Sequence, residues 1–213
     1  APGALWAVGS AWRDRPGSII AGQLAFLKED GSEQVVESRG LTVENFVRWR
    51  TGYERGLSFV QPATFLPRSA VQAAGGVRED LHLVMDHLLM IELLQHCPVV
   101  YLPRVLAKFR LHADSKTRVY GHARFMLEIM DALAGAPSLP VAVSPEELRR
   151  EHARVLVACA DAEASEGRWG RSVCYLTRAL VRSTMAAIGE LRRLGVPGRA
   201  WRKLRRGFSS NRP

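Results

Sequence analysis

Residues 59–117, FVQPATFLPRSAVQAAGGVREDLHLVMDHLLMIELLQHCPVVYLPRVLAKFRLHADSKT, decide the fold, because helix and strand patterns alternate there around a few polar positions. A proline-containing turn is followed by a helical run that a glycine pair ends, and then by a strongly apolar helix that one acid opens. The positions that a purely structural segment would not need are Gln61, Thr64, Gly75, Gly76 and Asp86.

The end of this stretch alternates apolar and polar residues at the period of a β-strand. Side chains two residues apart in a strand share a face, so Lys108, Arg110 and His112 would lie together. The opposite face would carry Ala107, Phe109 and Leu111. The polar face suits an anion or a metal, and an ordinary half-solvated strand has the same pattern.

The order of these motifs resembles the C-terminal half of family 2 glycosyltransferases, which have the GT-A fold. The matching segments are QPATF, the glycine pair, the lone Asp before an apolar helix, and PVVYLPRVLAKFRLHADSKT, and the likeness covers residues 1–120. It implies an α/β fold, with an incomplete GT-A-like mixed sheet and flanking helices, followed by an α-helical hairpin extension. It also implies an inverting, metal-assisted transfer of a sugar from a nucleotide-sugar donor to a glycan or lipid-linked acceptor.

The resemblance assigns chemical roles to three residues. Asp86 matches the general base that deprotonates the acceptor hydroxyl, and His112 matches the histidine that contacts the metal or the diphosphate. Arg110 is the neighbour of His112 on the same strand face. These residue types suit the roles, because a carboxylate accepts a hydroxyl proton, while a metal ion and cations stabilise a departing nucleoside diphosphate.

The remaining implied site residues bind the substrate. The positions assigned to substrate binding are Gln61, Pro62, Thr64, Gly75, Gly76, Arg110 and Lys116. The first three match the loop that lines the acceptor side. The glycine pair is expected to let the backbone approach closely near the site, although a plain helix end accounts for it as well.

Asp86 has a second interpretation, because aspartate is among the best residues for a helix N-cap. The chain also departs from the family at two neighbouring positions. The family often has an acid two residues after the base, where this chain has Leu88, and an acid just before the base, where this chain has Met85. Both departures concern substrate contacts rather than Asp86 itself.

The first residues bear on the expected metal. The opening segment APGAL resembles the helix start that follows, in this family, the Asp-x-Asp motif that holds the metal and the nucleotide. We therefore expect a fragment that lacks the N-terminal nucleotide-binding half. The expected cofactor is a divalent metal, Mn²⁺ or Mg²⁺, whose main Asp-x-Asp ligands are absent from this chain.

Composition indicates an ordinary globular protein, since 47% of the 213 residues are hydrophobic and 24% are charged. The cysteines, Cys97, Cys159 and Cys174, have no metal-binding spacing and are predicted to be reduced thiols in a cytosolic protein. No apolar run approaches the roughly 20 residues that span a bilayer. No signal peptide is recognisable either, so we expect a cytoplasmic protein, with peripheral attachment to the inner face of the plasma membrane as an option.

The net charge of +9 is concentrated at one end of the chain. From residue 178 onward there are ten Lys or Arg residues and one acid, Glu190. Residues 192–206 alternate basic residues with apolar ones, including Trp201, and this pattern fits an anionic membrane surface. A solvated chain end has the same composition. Nucleic acid is not an expected partner of the transferase, because the charge belongs to one tail.

Capping, turn and periodicity signals predict the elements. Helices are expected at 3–14, 42–52, 67–74, 86–95, 119–134 and 144–165, and strands at 18–28, 33–38, 99–102 and 105–111. The resulting regions are 1–118, the C-terminal half of a GT-A glycosyltransferase domain; 119–187, a helical extension; and 188–213, a basic amphipathic tail.

The helical extension is predicted to be a hairpin that resembles one tetratricopeptide-like unit. A capping box at 144–147 starts its first helix, and Glu166 and Gly167 turn the chain into the second. The second helix carries one apolar stripe of Trp169, Val173, Leu176 and Leu180. A single unit cannot bury its own face, so the hairpin should pack on the preceding region or on another chain.

Other enzyme classes lack their motifs in this sequence. It contains no G-x-S-x-G, no G-x-x-x-x-G-K-[ST] and no G-x-G-x-x-G, so hydrolase, P-loop and dinucleotide-binding functions have no support. The competing hypothesis is a non-catalytic helical binding module whose basic tail docks on a membrane or on nucleic acid. Polyanion binding through the tail would weaken steeply with salt, whereas sugar-nucleotide recognition would depend on Mn²⁺ or Mg²⁺.

Overall fold

The chain folds into helices packed around one sheet, and a computed structural model describes residues 1–28, 30–48, 56–110, 122–134 and 144–195. The elements are α1 (Ala4–Asp14), β1 (Ile19–Leu27), β2 (Glu33–Glu37), α2 (Val43–Val47), a 3₁₀ turn (Gln61–Ala63), β3 (Thr64–Phe65), α3 (Arg68–Ala73), α4 (Met85–Leu93), β4 (Val99–Arg110), α5 (His122–Ala134), α6 (Pro145–Ser165) and α7 (Trp169–Leu194). The described residues therefore form an α/β fold with a four-stranded mixed sheet.

β1 is the central strand of the sheet. β4 runs parallel to β1 along its whole length, while β2 and β3 pair with β1 in the antiparallel sense. A strand has two edges and β4 occupies one, so β2 and β3 share the other, opposite residues 23–27 and 20–21 respectively. The predicted hairpin joins β1 to β2: Gly31 has a positive φ of 79°, and the Asp30 carboxylate accepts the Ser32 N–H at 2.8 Å.

β4 is a single strand of 12 residues, so the prediction of two strands separated by Pro103 is wrong. Tyr101 pairs with Ala21 and Val105 pairs with Gln23, so the β4 segment between them carries extra residues and bulges out of register. Proline has no N–H to contribute to the ladder, and an irregular stretch of strand tolerates that loss.

A second irregularity brings Leu106 onto Gly22. Val105 pairs with Gln23 and Ala107 pairs with Leu24, which leaves Leu106 outside the regular pairing. A Cβ atom placed on Gly22 would lie 2.4 Å from Leu106 Cδ1. Glycine is needed at this position because the Leu106 side chain lies over the bare backbone of β1.

The sheet separates two apolar clusters. One face packs against α1, and its buried residues are Ala4, Val8, Ile20, Leu24, Val60, Ala63 and Leu106. The other face packs against α2, α4, α5 and α6, and includes Ile19, Ala21, Phe46, Val47, Met90, Ile91, Ile129, Met130 and Val155. Alternate residues of β1 enter the two clusters, as the pleat of a strand requires.

The helical extension packs on the sheet-containing region. Met130 of α5 and Val155 of α6 belong to the same buried cluster as Ile19 of β1. An ion pair adds to this contact, since Arg48 Nη2 lies 2.6 Å from Glu147 Oε1. One continuous apolar core therefore joins α5 and α6 to the sheet.

The predicted capping box starts α6. Ser144 Oγ accepts the Glu147 N–H at 3.2 Å, and Glu147 Oε2 accepts the Ser144 N–H at 3.1 Å. Gly167 has a positive φ of 79° in the turn between α6 and α7. The hairpin prediction is confirmed in these local features.

The predicted apolar stripe is not the buried face of α7. Trp169, Val173 and Leu180 are 43%, 60% and 42% exposed, while Leu176 is partly buried against the cluster that contains Leu156 and Ala179. The buried residues of α7 are Ser172, Ala179, Ala187 and Glu190. Small side chains let α7 approach α6 closely, and Ser172 Oγ donates a hydrogen bond to the Ala160 carbonyl at 2.8 Å.

Candidate functional site

Asp86 lies in the first turn of α4, one residue after the helix begins. Val84 is the N-cap, so the interpretation of Asp86 as the N-cap residue is wrong. The Asp86 carboxylate instead accepts the N–H of His87 at 2.8 Å. An acid in the first turn also interacts favourably with the positive end of the helix dipole.

Burial raises the pKa of the Asp86 carboxyl, while hydrogen bonds from the backbone N–H groups of His87 and Asp86 oppose that rise. A raised pKa makes the carboxylate a stronger proton acceptor, the change that a general base requires. Asp86 therefore combines a half-buried position in the first turn of a helix anchored in the core with a raised pKa.

His87 anchors the first turn of α4 to Phe46 of α2. Its side chain is 2% exposed, and its ring lies 4.6 Å from the Phe46 ring. His87 Nε2 is 2.9 Å from the Phe46 carbonyl oxygen, which can only accept, so Nε2 carries the proton. Burial lowers the pKa of His87 to about 3, and the imidazole is therefore neutral at physiological pH. His87 fixes the turn next to Asp86 without adding charge.

Glu128 holds the segment that leads into α4. Its two carboxylate oxygens accept the backbone N–H groups of His82 at 2.9 Å and Leu83 at 2.7 Å. Sequence reasoning missed this residue, because Glu128 lies on α5, far along the chain from the loop that it binds. The available signal was an acid among the apolar residues of α5, which also carries Asp131, and such a signal is too weak to identify a partner.

The acceptor-side residues lie next to the sheet. Gln61 and Pro62 are exposed in the 3₁₀ turn, and Thr64 begins β3 directly opposite Ala21. Thr64 Oγ1 donates a hydrogen bond to the Val60 carbonyl at 3.1 Å. The two exposed side chains are therefore open to a ligand, whereas the Thr64 hydroxyl helps to close the turn.

Gly75 and Gly76 end α3. Both have positive φ, 80° and 82°. The Gly75 N–H donates to Gln72 and the Gly76 N–H donates to Val71, which is the hydrogen-bond pattern of a Schellman motif. A Cβ on either glycine would meet no atom within 4 Å among the described residues. The helix end accounts for both glycines by itself.

Arg110 ends β4 on the exposed face that the alternation predicts. Lys108 and Arg110 are exposed, while Ala107 and Phe109 pack against the apolar cluster on the α1 side. Lys108 is ion-paired with Glu33 of β2, whereas Arg110 has no hydrogen-bond or ion-pair partner among the described residues. The structure shows no contact between Arg110 and Asp86.

Two of the predicted site residues lie in a part of the chain that the structure does not describe. His112 and Lys116, the predicted metal contact and a predicted substrate contact, both fall there. Within the part of the chain that the structure describes, no group of three or more His, Cys, Asp or Glu side chains could hold a metal ion. The divalent metal stays a prediction, since its expected ligands are not among these residues.

Comparison with known proteins does not assign this chain to a family. Comparison of the chain with protein-family models, with curated proteins and with solved structures finds no match in any of the three. No helix in the described ranges combines the length and apolar character needed to cross a bilayer. The role of the site must therefore be inferred from its own residues and tested by experiment.

Proposed function

We propose that the chain is the acceptor-side part of a nucleotide-sugar-dependent glycosyltransferase with a GT-A-like fold, which inverts the configuration of the transferred sugar. The observation that carries this proposal is the half-buried Asp86 carboxylate in the first turn of α4, with a pKa that burial raises. The motif order around Asp86 supports it, because the resemblance expects the base at this position.

In the proposed reaction, Asp86 accepts the proton of an acceptor hydroxyl. The hydroxyl oxygen attacks the anomeric carbon of the donor as the bond from that carbon to the diphosphate oxygen breaks, and the nucleoside diphosphate leaves. Arg110 supplies a cation without an ion-pair partner among the described residues, and His112 and Lys116 are expected on the segment that follows it. These groups would stabilise the negative charge on the leaving diphosphate.

The hydrogen bonds around Asp86 hold it in a fixed position, which suits a general base. His87 ties the first turn of α4 to the Phe46 carbonyl, and Glu128 ties down the preceding loop at Leu83. A carboxylate that is held in place loses little freedom when the acceptor hydroxyl arrives, so geometry contributes to the rate. A divalent metal, when bound, would neutralise charge on the diphosphate, with ligands expected outside the described residues.

The proposal includes the cellular setting. The proposed acceptor is a glycan or a lipid-linked molecule, and the enzyme works in the cytoplasm, with peripheral attachment to the inner face of the plasma membrane as an option. The absence of a membrane-crossing helix among the described residues is compatible with this setting.

Replacing Asp86 with Asn in the enzyme expressed from its complete gene tests the proposal. We expect sugar transfer to fall by at least about 100-fold, as general-base removal predicts, and donor affinity measured by calorimetry to stay nearly unchanged. Asp80→Asn is the matched control, because Asp80 lies six residues before Asp86, is exposed and is ion-paired with Arg78. Loss of transfer and donor binding together in Asp86→Asn would assign Asp86 a structural role. Upstream codons without an Asp-x-Asp would also contradict the proposal.

A further inference from the structure

Large apolar side chains are exposed along the outer side of α7. Val181 and Met185 are 82% and 81% exposed, and Val173 is 60% exposed. The helix packs on α6 through small residues instead, as Ser172 and Ala179 show. Single exposed apolar residues are common on protein surfaces, but several on one helix indicate a surface that contacts something apolar.

The exposed part of α7 is also positively charged. Its exposed basic residues are Arg171, Arg178, Arg182, Arg192 and Arg193. The acid of this helix, Glu190, is 4% exposed and lies 3.3 Å from Arg193. Arg178 is offset in part by Asp131 of α5, at 3.8 Å. No Asp or Glu follows Glu190 in the sequence, and residues 196–213 add six Lys or Arg residues. The exposed charge of α7 is therefore mainly basic, and the sequence that follows the helix is basic as well.

A break in α7 lies within this surface. Ser183 has non-helical dihedrals, φ −164° and ψ 100°, and its hydroxyl accepts the Ala186 N–H at 3.4 Å. Val181 therefore lies in the last turn of the first part of the helix, and Met185 lies in the first turn of the second. Cys174 is seven residues before Val181, so both lie on the same side of the first part.

We propose that this outer face of α7, formed by Val173, Val181, Met185 and the exposed arginines, docks the protein on an anionic lipid bilayer. The combination of cations with protruding apolar side chains carries this assignment, because the cations attract anionic headgroups and the apolar groups enter the acyl boundary. A nucleic acid would use the arginines and leave Val181 and Met185 without a role. The proposal does not depend on Asp86, and it places docking on α7 rather than on the tail at 192–206 alone.

Cosedimentation of the full chain with vesicles tests the proposal. The vesicles contain equimolar phosphatidylcholine and phosphatidylglycerol, or phosphatidylcholine alone. We expect binding to the anionic vesicles only, a partition coefficient about 10-fold lower for Val181→Ser/Met185→Ser, and a loss of about five-fold per cation removed in Arg182→Gln/Arg192→Gln. Leu5→Ser/Val77→Ser is the matched control, since those side chains are 75% and 50% exposed elsewhere and should leave partitioning unchanged.

A second readout locates the contact. A polarity-sensitive fluorophore on the exposed Cys174, in a Cys97→Ser background, should report an apolar environment when anionic vesicles are added. Circular dichroism checks that each variant is folded.

Several results would overturn the proposal. These are no binding to anionic vesicles, equal binding to neutral ones, or unchanged partitioning of Val181→Ser/Met185→Ser. A third group of substitutions, Arg202, Lys203, Arg205 and Arg206 to Gln, tests the tail. If this change abolishes vesicle binding and Val181→Ser/Met185→Ser leaves it intact, docking belongs to the tail. Retention on heparin is measured for the same variants. If Val181→Ser/Met185→Ser lowers heparin retention as much as it lowers vesicle binding, the surface is a general polyanion site.

Discussion

Glu128 of α5 and Leu83, three residues before Asp86, are joined by a hydrogen bond of 2.7 Å from the Leu83 N–H to the Glu128 carboxylate. The second carboxylate oxygen accepts the His82 N–H at 2.9 Å. The helical extension thus holds the loop from which α4 starts. If Asp86 is the base, the extension helps to position it, and a part of the chain outside the sheet contributes to the site.

Glu128→Gln should lower the free energy of unfolding by about 1–2 kcal/mol, because the amide nitrogen cannot accept one of the two backbone N–H groups. Urea denaturation measures the change. Glu92→Gln is the control, since Glu92 is exposed on α4 and should shift stability by less than about 0.5 kcal/mol. Equal effects of the two substitutions would show that the Glu128 contact contributes little.

Gly22→Ala should destabilise the protein by about 1–3 kcal/mol, because its methyl group would overlap the Leu106 side chain. Leu106→Ala removes the obstacle, so the double variant should be more stable than the sum of the two single losses by at least about 1 kcal/mol. Gly9→Ala is the control: no atom lies within 4 Å of its added Cβ, and alanine favours the helix. Additive losses in the Gly22 and Leu106 pair would contradict the predicted overlap.

The stability of the fold should depend on the protonation of His87. Burial lowers the pKa of His87 to about 3 in the folded protein, whereas the unfolded chain titrates near 6.5. The neutral form stabilises the fold fully above pH 6.5, and this contribution is lost as pH falls from there toward 3, with a slope of up to about 1.4 kcal/mol per pH unit.

His87→Gln should remove that slope, because an amide does not titrate in this range and its nitrogen donates toward the Phe46 carbonyl as Nε2 does. Urea denaturation from pH 7 to pH 4 compares the two proteins. His96→Gln, at an exposed histidine, should keep the wild-type slope. A slope that His87→Gln leaves unchanged would mean that other groups carry the acid sensitivity.

Asp86→Asn should stabilise the protein at pH 7. Burial raises the pKa of Asp86 in the folded state above its unfolded value. Such a group's contribution to stability is full below the unfolded pKa and is lost as pH rises through the folded pKa. The asparagine keeps an oxygen for the His87 N–H and carries no charge, so the gain should shrink as pH falls to about 4. Thermal unfolding at both pH values measures this, and a less stable variant at pH 7 would contradict it.

Local features of the fold were predictable from short sequence patterns. The capping box at Ser144, the end of α3 at Gly75 and the hairpin at Asp30 all appear where single residues place them. The helix capped by Thr42 also begins as predicted but ends at Val47, with Arg48 as its C-cap, so its predicted end near residue 52 is wrong. Each of these features depends on contacts within about four residues, which the sequence lists directly.

The residue types and the order of the candidate site were predictable, but the tertiary contacts that hold it were not. Asp86 opens α4 as predicted, although Val84 takes the N-cap position. The contacts that hold the turn come from Phe46 and Glu128, about 40 residues away on either side. Spacing along the chain carries no information about such partners.

By itself, the sequence determined where several helices and turns begin, which face of β4 is charged, and where the basic residues collect, because capping, pleating and charge are local properties of the chain. Only the tertiary structure decided that β4 continues through Pro103, that Glu128 holds the loop before Asp86, and that α7 buries Ala179 while exposing Val181. These features depend on which surfaces meet, and close packing selects the partner that fits rather than the most apolar side of a helix.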